Sequence, residues 1–321
     1  MAAQLLIFLP FKIMEINKKR YNDIDSYFKR KFNKKIIKLP LDGGFTCPNR
    51  DGRLSYDGCI FCSDRASGEF TVNNFSINQQ ISYQKKRLSK KGRDQAYIAY
   101  FQNFTNTYAS VEKLKFLYNQ ALSSKDIVGL SIATRADCLN DEIYELLKEI
   151  NKKTFLYIEL GMQSVNEKTI EFINRSYKHE VLDKAVLKLN DLNIKVLLHI
   201  IVGFPNETID DYLKDIAYVN KRKIWGIKIH KLFIEEDSKI KDHYLKNKEK
   251  YIMSLTEYCN YVIMMLENLN KTTTIHRLTG DGIKDKIIEP LWSKNKASVL
   301  SSIDKIMKDK NIRQGDLWKE K

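Results

Sequence analysis

At 321 residues, 43% of them hydrophobic and 11% aromatic, the chain can bury one large core, as an α/β barrel or as two modest domains, which excludes a disordered polyelectrolyte. Its five cysteines are odd in number; Cys47, Cys59 and Cys62 crowd together while Cys138 and Cys259 stand alone, which excludes a disulfide scaffold and points to a reducing, cytoplasmic compartment. The net charge of +15 suits a polyanion such as RNA, but lysine is used freely throughout, as in KKRLSKKGR at 85–93, and that is equally the pattern of a solvated surface.

The opening run MAAQLLIFLPFKIM lacks a basic n-region and a small-residue cleavage site, and falls short of the roughly 20 apolar residues that span a bilayer. Residues 1–19 are expected to be a disordered extension or a mis-assigned start, with Met14 as initiator. No later segment reads as membrane-spanning.

From Lys35 onward, short β-branched runs alternate with stretches of helical period. The runs are KIIKL (35–39), AYIAYF (96–101), VGLSIA (128–133), TFLYIEL (154–160), KVLLHIIV (195–202) and WGIKIH (225–230). Helices are predicted near 76–90, 110–123, 140–151, 166–192 (as two helices) and 207–221. This is the βαβα signature of a parallel sheet covered on both faces, and six units fit a partial, splayed (β/α)6 TIM-like barrel over 20–235. Residues 236–321 read as a helical C-terminal extension, with a long helix near 249–269, a short strand TTTIHRL and a basic helical tail.

In such barrels the working residues lie where strands end. The six exits are, in order, the cysteine loop; Gln102, Asn103, Thr105 and Asn106; Thr134, Arg135 and Asp137; Gln163 and Ser164; Gly203 to Glu207; and Lys231. All are polar or glycine-rich, so they would converge on one mouth. His276 and Arg277 in HRLTGDG lie too far along the chain for a seventh unit and are expected to close the open side of the barrel or to contact substrate; a turn with Gly280 and Gly282 is the structural alternative.

Cys47-x11-Cys59-x2-Cys62 admits three readings: a structural zinc site, three unrelated reduced thiols, or a 4Fe-4S cluster with one iron left open. Zinc lacks a fourth Cys or His at ligand spacing. Here the motifs carry a resemblance. Cys59-Ile60-Phe61-Cys62, with KLPLDGGFTCPNRDG, YFQNFTNTYA, GLSIATRADCL, IELGMQS, HIIVGFPNET, HRLTGD and PLWSKNK in order, resembles the radical S-adenosylmethionine (SAM) enzymes, although the gap between the first two cysteines is longer than the common three. The series is similar to a bacterial subfamily linked to maturation of the C5 side chain of wobble uridine in tRNA, and more distantly to the radical SAM domain of the Elongator catalytic subunit.

The resemblance implies a 4Fe-4S cluster on Cys47, Cys59 and Cys62, with SAM on the open iron. It places Gln102, Asn103, Thr105 and Asn106 at the SAM amino group, and Glu159, Gln163 and Ser164 at its ribose and carboxylate. Arg175 would pair with the carboxylate, and Gly203 to Glu207 would pack on adenine. The bland alternatives are an ordinary Asn/Thr turn at 102–106 and an exposed helix-end arginine at 175. Thr134, Arg135, Asp137, His199, His230, Lys231, His276 and Arg277 are candidates to face the substrate, with Cys138 as a substrate-linking thiol, against the alternative that strand histidines are core residues and Cys138 a small buried hydrophobe. The implied activity is reductive SAM cleavage with hydrogen abstraction from the wobble-uridine arm, a carboxymethylaminomethyl to aminomethyl type of step, served by a flavodoxin- or ferredoxin-type electron donor.

Overall fold

The computed structural model describes residues 19–320 apart from 67, 69, 70, 73 and 74; the expected N-terminal extension and Met14 lie outside the described residues. After α1 (Ile24–Phe32), the strands β1 (Lys35–Leu41), β2 (Gln95–Phe101), β3 (Ile127–Thr134), β4 (Phe155–Gln163), β5 (Lys195–Val202) and β6 (Gly226–Lys231) pair in parallel in chain order. Each coincides with an apolar run of the sequence to within three residues at either end.

The crossover helices are α2 (Ile77–Leu88), α3 (Val111–Leu122), α4 (Asp141–Lys153), the pair α5 (Glu167–Phe172) and α6 (His179–Asp191), and α7 (Ile209–Lys221). Ser76, Ser110 and Asn140 set the starts of α2, α3 and α4 by accepting hydrogen bonds from free backbone N–H groups of the first turn. The helices cover the outer face of the sheet, where Leu39, Leu130, Leu156 and Leu198 meet Leu114, Tyr118, Leu147 and Leu189, all fully buried. Each such side chain contributes about 1.5–3 kcal/mol on leaving water.

A different layer fills the concave face. Ile24 and Phe28 of α1 pack with Ile36, Ala96, Ile98, Tyr157 and Leu197, inward residues near the starts of four strands. The helix therefore plugs the N-terminal end of the barrel, and the inward positions further along the strands are left for polar groups.

The sheet departs from the six-unit expectation. After β7 (Ile234–Glu235), α8 (Ile240–Lys246) and α9 (Leu255–Glu267), the strand β8 (Thr274–Arg277) pairs in parallel with β6, so His276 and Arg277 lie on a seventh strand. The intervening crossover is longer than the earlier ones, and its helix starts at Leu255 rather than 249 because Ser254 and Glu257 form a capping box there. β9 (Ile287–Glu289) pairs antiparallel with β7, and α10 (Lys296–Asp309) packs beside α9. The sheet does not close. Its edges approach at the base, where Lys38 Nζ of β1 stands 3.1 Å from His276 Nδ1 and Asp23 bridges to Ile275. No helix among the described residues is long and apolar enough to cross a membrane.

Candidate active site

A cavity of about 310 Å³ opens at the C-terminal ends of the strands, and Cys47, Cys59 and Cys62 form part of its wall. Their loop leaves β1 and is held in shape from several sides. The Arg50 guanidinium donates to the carbonyls of Ser63 at 2.7 Å and Asp64 at 3.0 Å. Asn49 donates to Asn174 O at 2.7 Å, and Ile60 N donates to Ile173 O at 3.1 Å. The Phe61 ring meets Phe204 of the β5 exit edge-on at 6.0 Å. The Cys62 thiol donates toward Cys59, which draws Cys59 down to about 7 and pushes Cys62 up. Among the described residues no three His, Cys, Asp or Glu side chains converge on a single metal ion. Three thiols on one wall suit a cubane, which offers each thiolate its own iron and leaves a fourth open, better than zinc, which gathers four donors round one ion.

The other strand exits complete the wall. Gln102 and Thr105 follow β2, Thr134 and Arg135 end β3, Gln163 ends β4, and Lys231 ends β6; all line the cavity. Arg135 is forked onto Asp137 at 2.9 and 2.8 Å, so Asp137 acts through it and does not itself reach the cavity. Arg175 is not an exposed helix-end residue: it lies in the turn between α5 and α6, is 2% exposed, and donates Nη1 to Met162 O at 2.7 Å. Its Nη2 is buried without a partner. Tyr177 lies between the two guanidiniums, 4.3 Å from Arg175 and 4.9 Å from Arg135.

The base of the cavity is a buried polar network around Glu159. Oε1 accepts from Ser131 at 2.8 Å; Oε2 accepts from Tyr100 at 3.0 Å, from His199 at 2.8 Å and from Lys228. Burial would raise this carboxyl, but Lys228, His199 and Lys38 more than offset it and hold Glu159 well below the usual carboxylate range. Burial, with Lys228 adding to it, brings His199 down to about 4, so its ring is neutral. His230 stacks on His199 at 5.2 Å. Both histidines and Arg277 line the cavity.

Seven of the sequence candidates do not line it. Asn103 gives its amide to Asp42 and Thr71, and Asn106 gives its own to the carbonyls of Asn103 and Ala133, so both stabilise the β2 exit turn. Ser164 is fully buried and accepts from Asn166 N. Glu207 accepts from Thr169 and is pushed up to about 7 by burial. Gly203, at φ +108°, is passed by the Lys231 side chain so closely that a Cβ there would collide with its ammonium. Asp137 is the sixth. His276 sits in the base, with Tyr157 and Trp225 around its ring, well below the mouth. Thr134, the carrier of one expected substrate contact, does face the cavity while its hydroxyl meets Thr107 at 2.6 Å.

Sequence reasoning missed Lys38, Tyr100, Lys228 and Tyr177. Three of these were readable by strand alternation: Tyr100 lies two residues before Gln102, Lys228 two before His230, and Lys38 is the polar inward residue of β1.

Residues 46–219 match the family described as Radical SAM superfamily, and residues 224–309 match the Radical_SAM C-terminal domain. The chain belongs to the radical SAM superfamily. It is 39% identical to the uncharacterized protein YtqA of Bacillus subtilis over 94% of this chain and 93% of that protein. It is 33% identical to the uncharacterized protein MJ0486 of Methanocaldococcus jannaschii, over 90% and 89%. Among solved structures, archaeal Elp3 of Methanocaldococcus infernus with an N-terminal deletion superposes with a TM-score of 0.66 at 17% identity, covering 87% of this chain and 64% of that one. At that identity the likeness speaks for the fold, and the chain spans a little under two thirds of the Elp3 chain. Radical SAM enzymes use a 4Fe-4S cluster and SAM, and this chain is an enzyme of that superfamily with the partial-barrel fold.

Proposed function

We propose that this radical SAM enzyme modifies the C5 side chain of wobble uridine in tRNA, shortening a carboxymethylaminomethyl arm to aminomethyl. In this reading Cys47, Cys59 and Cys62 hold three irons of the cluster and Gln102, Thr105, Gln163 and Arg175 hold SAM. The cluster, given one electron by a small flavodoxin- or ferredoxin-type protein, supplies reductive cleavage of SAM to methionine and a 5′-deoxyadenosyl radical that takes a hydrogen atom from the substrate. What the chain adds is orientation and exclusion of water, from a wall of aromatic and apolar side chains that includes Phe61, Phe104, Tyr177, Ile201 and Phe233.

The observation that carries the reading is the charge of the cavity. Arg50, Arg135, Arg175, Lys231 and Arg277 line it against Glu159, Glu235 and Asp281, in a chain of net charge +15. A cationic cleft draws in a polyanion and holds the acceptor-rich edge of a base once there. The motif series from LDGGFTC to PLWSKNK adds the resemblance to the wobble-uridine subfamily. Free thiols at all five cysteines fit work in the cytoplasm. Deleting the gene and comparing total tRNA nucleosides tests it: accumulation of the carboxymethylaminomethyl form supports the reading, and an unchanged wobble-uridine profile overturns the tRNA assignment while leaving the enzyme class intact.

A further inference from the structure

The base of the cavity holds more positive charge than its carboxylates can neutralise. Glu159 already accepts from Ser131 on Oε1 and from Tyr100, His199 and Lys228 on Oε2, so little of its charge is left for further cations. Lys38 approaches Oε1 no nearer than 4.0 Å and meets His276 Nδ1 at 3.1 Å instead. Arg277 pairs at 3.0 Å with Asp281, but Asp281 is shared with Lys296 at 2.6 Å. Glu235, the remaining carboxylate lining the cavity, lies beside Gly282 in the loop after β8. His230 Nε2 is buried with no hydrogen-bond partner. Burial lowers both Lys38 and Lys228, as it must for ammonium groups with too little opposing charge around them. An anion bound in the cavity would meet the Arg277 guanidinium and give the buried His230 nitrogen the acceptor it lacks.

We propose that His230 and Arg277, standing above the Lys228–Glu159 pair, form a seat for a carboxylate at the end of the substrate's reactive arm. A phosphodiester of the RNA backbone does not fit this place. It carries a nucleoside on each side, whereas the cavity is stopped below by the α1 plug of Ile24 and Phe28 and admits only a chain end. The seat lies apart from the Arg135–Tyr177–Arg175 stack near the cysteine wall, so it offers binding for a second anion beyond the carboxylate of SAM. The identity of the arm rests on the wobble-uridine reading; the seat itself rests on the charges and the unpartnered histidine. It selects an arm that still bears its carboxylate and releases one that has lost it.

The test uses the full-length protein with its cluster reconstituted and SAM bound. Anticodon stem-loops carrying the carboxymethylaminomethyl arm or the same arm capped as an amide are titrated by fluorescence anisotropy, and iminodiacetate serves as a small dicarboxylate probe followed by thermal shift. The wild type binds the free carboxylate about tenfold more tightly than the amide, and Arg277→Met and His230→Phe bring the preference below about threefold, the loss falling mainly on the carboxylate. Arg277 is partly exposed, so its variant folds; His230→Gln, which keeps a side-chain N–H donor, restores the preference. If neither stem-loop binds but iminodiacetate stabilises the wild type and not Arg277→Met, the seat stands and the wobble-uridine reading falls. If the stem-loops bind without distinction and iminodiacetate has no effect, the seat is wrong and the tRNA reading survives.

Discussion

Glu159 of β4 and Lys228 of β6, with β5 between them in the sheet, form an ion pair inside the barrel, in which the Lys228 ammonium also donates to Tyr100 at 3.0 Å. Both side chains are almost wholly shielded, at 0% and 5% exposure. Lys228→Met leaves the carboxylate with a neutral histidine and a distant Lys38, and should cost about 3–5 kcal/mol in urea unfolding. The double variant Lys228→Met/Glu159→Gln should recover most of that loss, because it removes the stranded charge. A single substitution costing under about 1 kcal/mol would show that the pair is solvated and the account of the cavity base wrong.

The three cysteines of the loop should behave alike, and unlike the other two. Cys47→Ala, Cys59→Ala and Cys62→Ala should each bring iron after anaerobic reconstitution from about four per chain to background, with far-UV circular dichroism unchanged because none of the three lies in a helix or strand. Cys138→Ala and Cys259→Ala should keep full iron. Cys259 is fully buried among the C-terminal helices, far from any role in ligation.

Arg175 offers a buried donor, Nη2, that no protein acceptor takes. Arg175→Lys cannot both donate to Met162 O and present a second donor in the guanidinium plane. SAM affinity measured by equilibrium dialysis should fall about tenfold or more while iron content stays the same. Unaltered SAM binding would remove Arg175 from the cofactor site.

Glu207 gives the fold a pH dependence. Burial raises its carboxyl from an ordinary 4.5 to about 7, so between these values the folded state holds a proton that the unfolded chain releases. Stability is therefore full below about pH 4.5 for this group and is lost as pH rises through about 7; Asp215, also raised by burial and by Glu207, acts in the same sense. Glu207→Gln should flatten the decline and be the more stable protein at pH 8 by at most about 3 kcal/mol. Parallel pH profiles for the two proteins would contradict this.

Much of this architecture is legible in the chain because a parallel sheet buried on both faces must be written as apolar runs, and KVLLHIIV or AYIAYF can hardly be anything else. The exits were legible for the same reason: once the strands are placed, the residues after them have nowhere to go but the mouth. The seventh strand was legible as a strand, TTTIHRL, but not as a member of the sheet. TIHR is four residues long, three of them polar, and reaches β6 only after a crossover through α8 and α9, so no local pattern gives its pairing. The α1 plug escaped because IDSYFKRKF is short and nearly half charged, and its apolar Ile24 and Phe28 make sense only against Tyr157 and Leu197, more than a hundred residues away. Asn103 and Asn106 show the converse error. Their side chains serve the turn that carries Gln102 and Thr105 to the cavity, a use that composition cannot separate from ligand binding.

The most direct measurement joins the cofactor chemistry to the substrate. Reconstituted enzyme is supplied with SAM, a low-potential reductant and tRNA from the deletion strain or from the parent strain, and 5′-deoxyadenosine and wobble nucleosides are quantified together. The account predicts 5′-deoxyadenosine formation that rises with tRNA from the deletion strain, in step with conversion of its carboxymethylaminomethyl arm, and little response to tRNA from the parent. Equal 5′-deoxyadenosine from both tRNA pools, with no change in the wobble uridine, would contradict it.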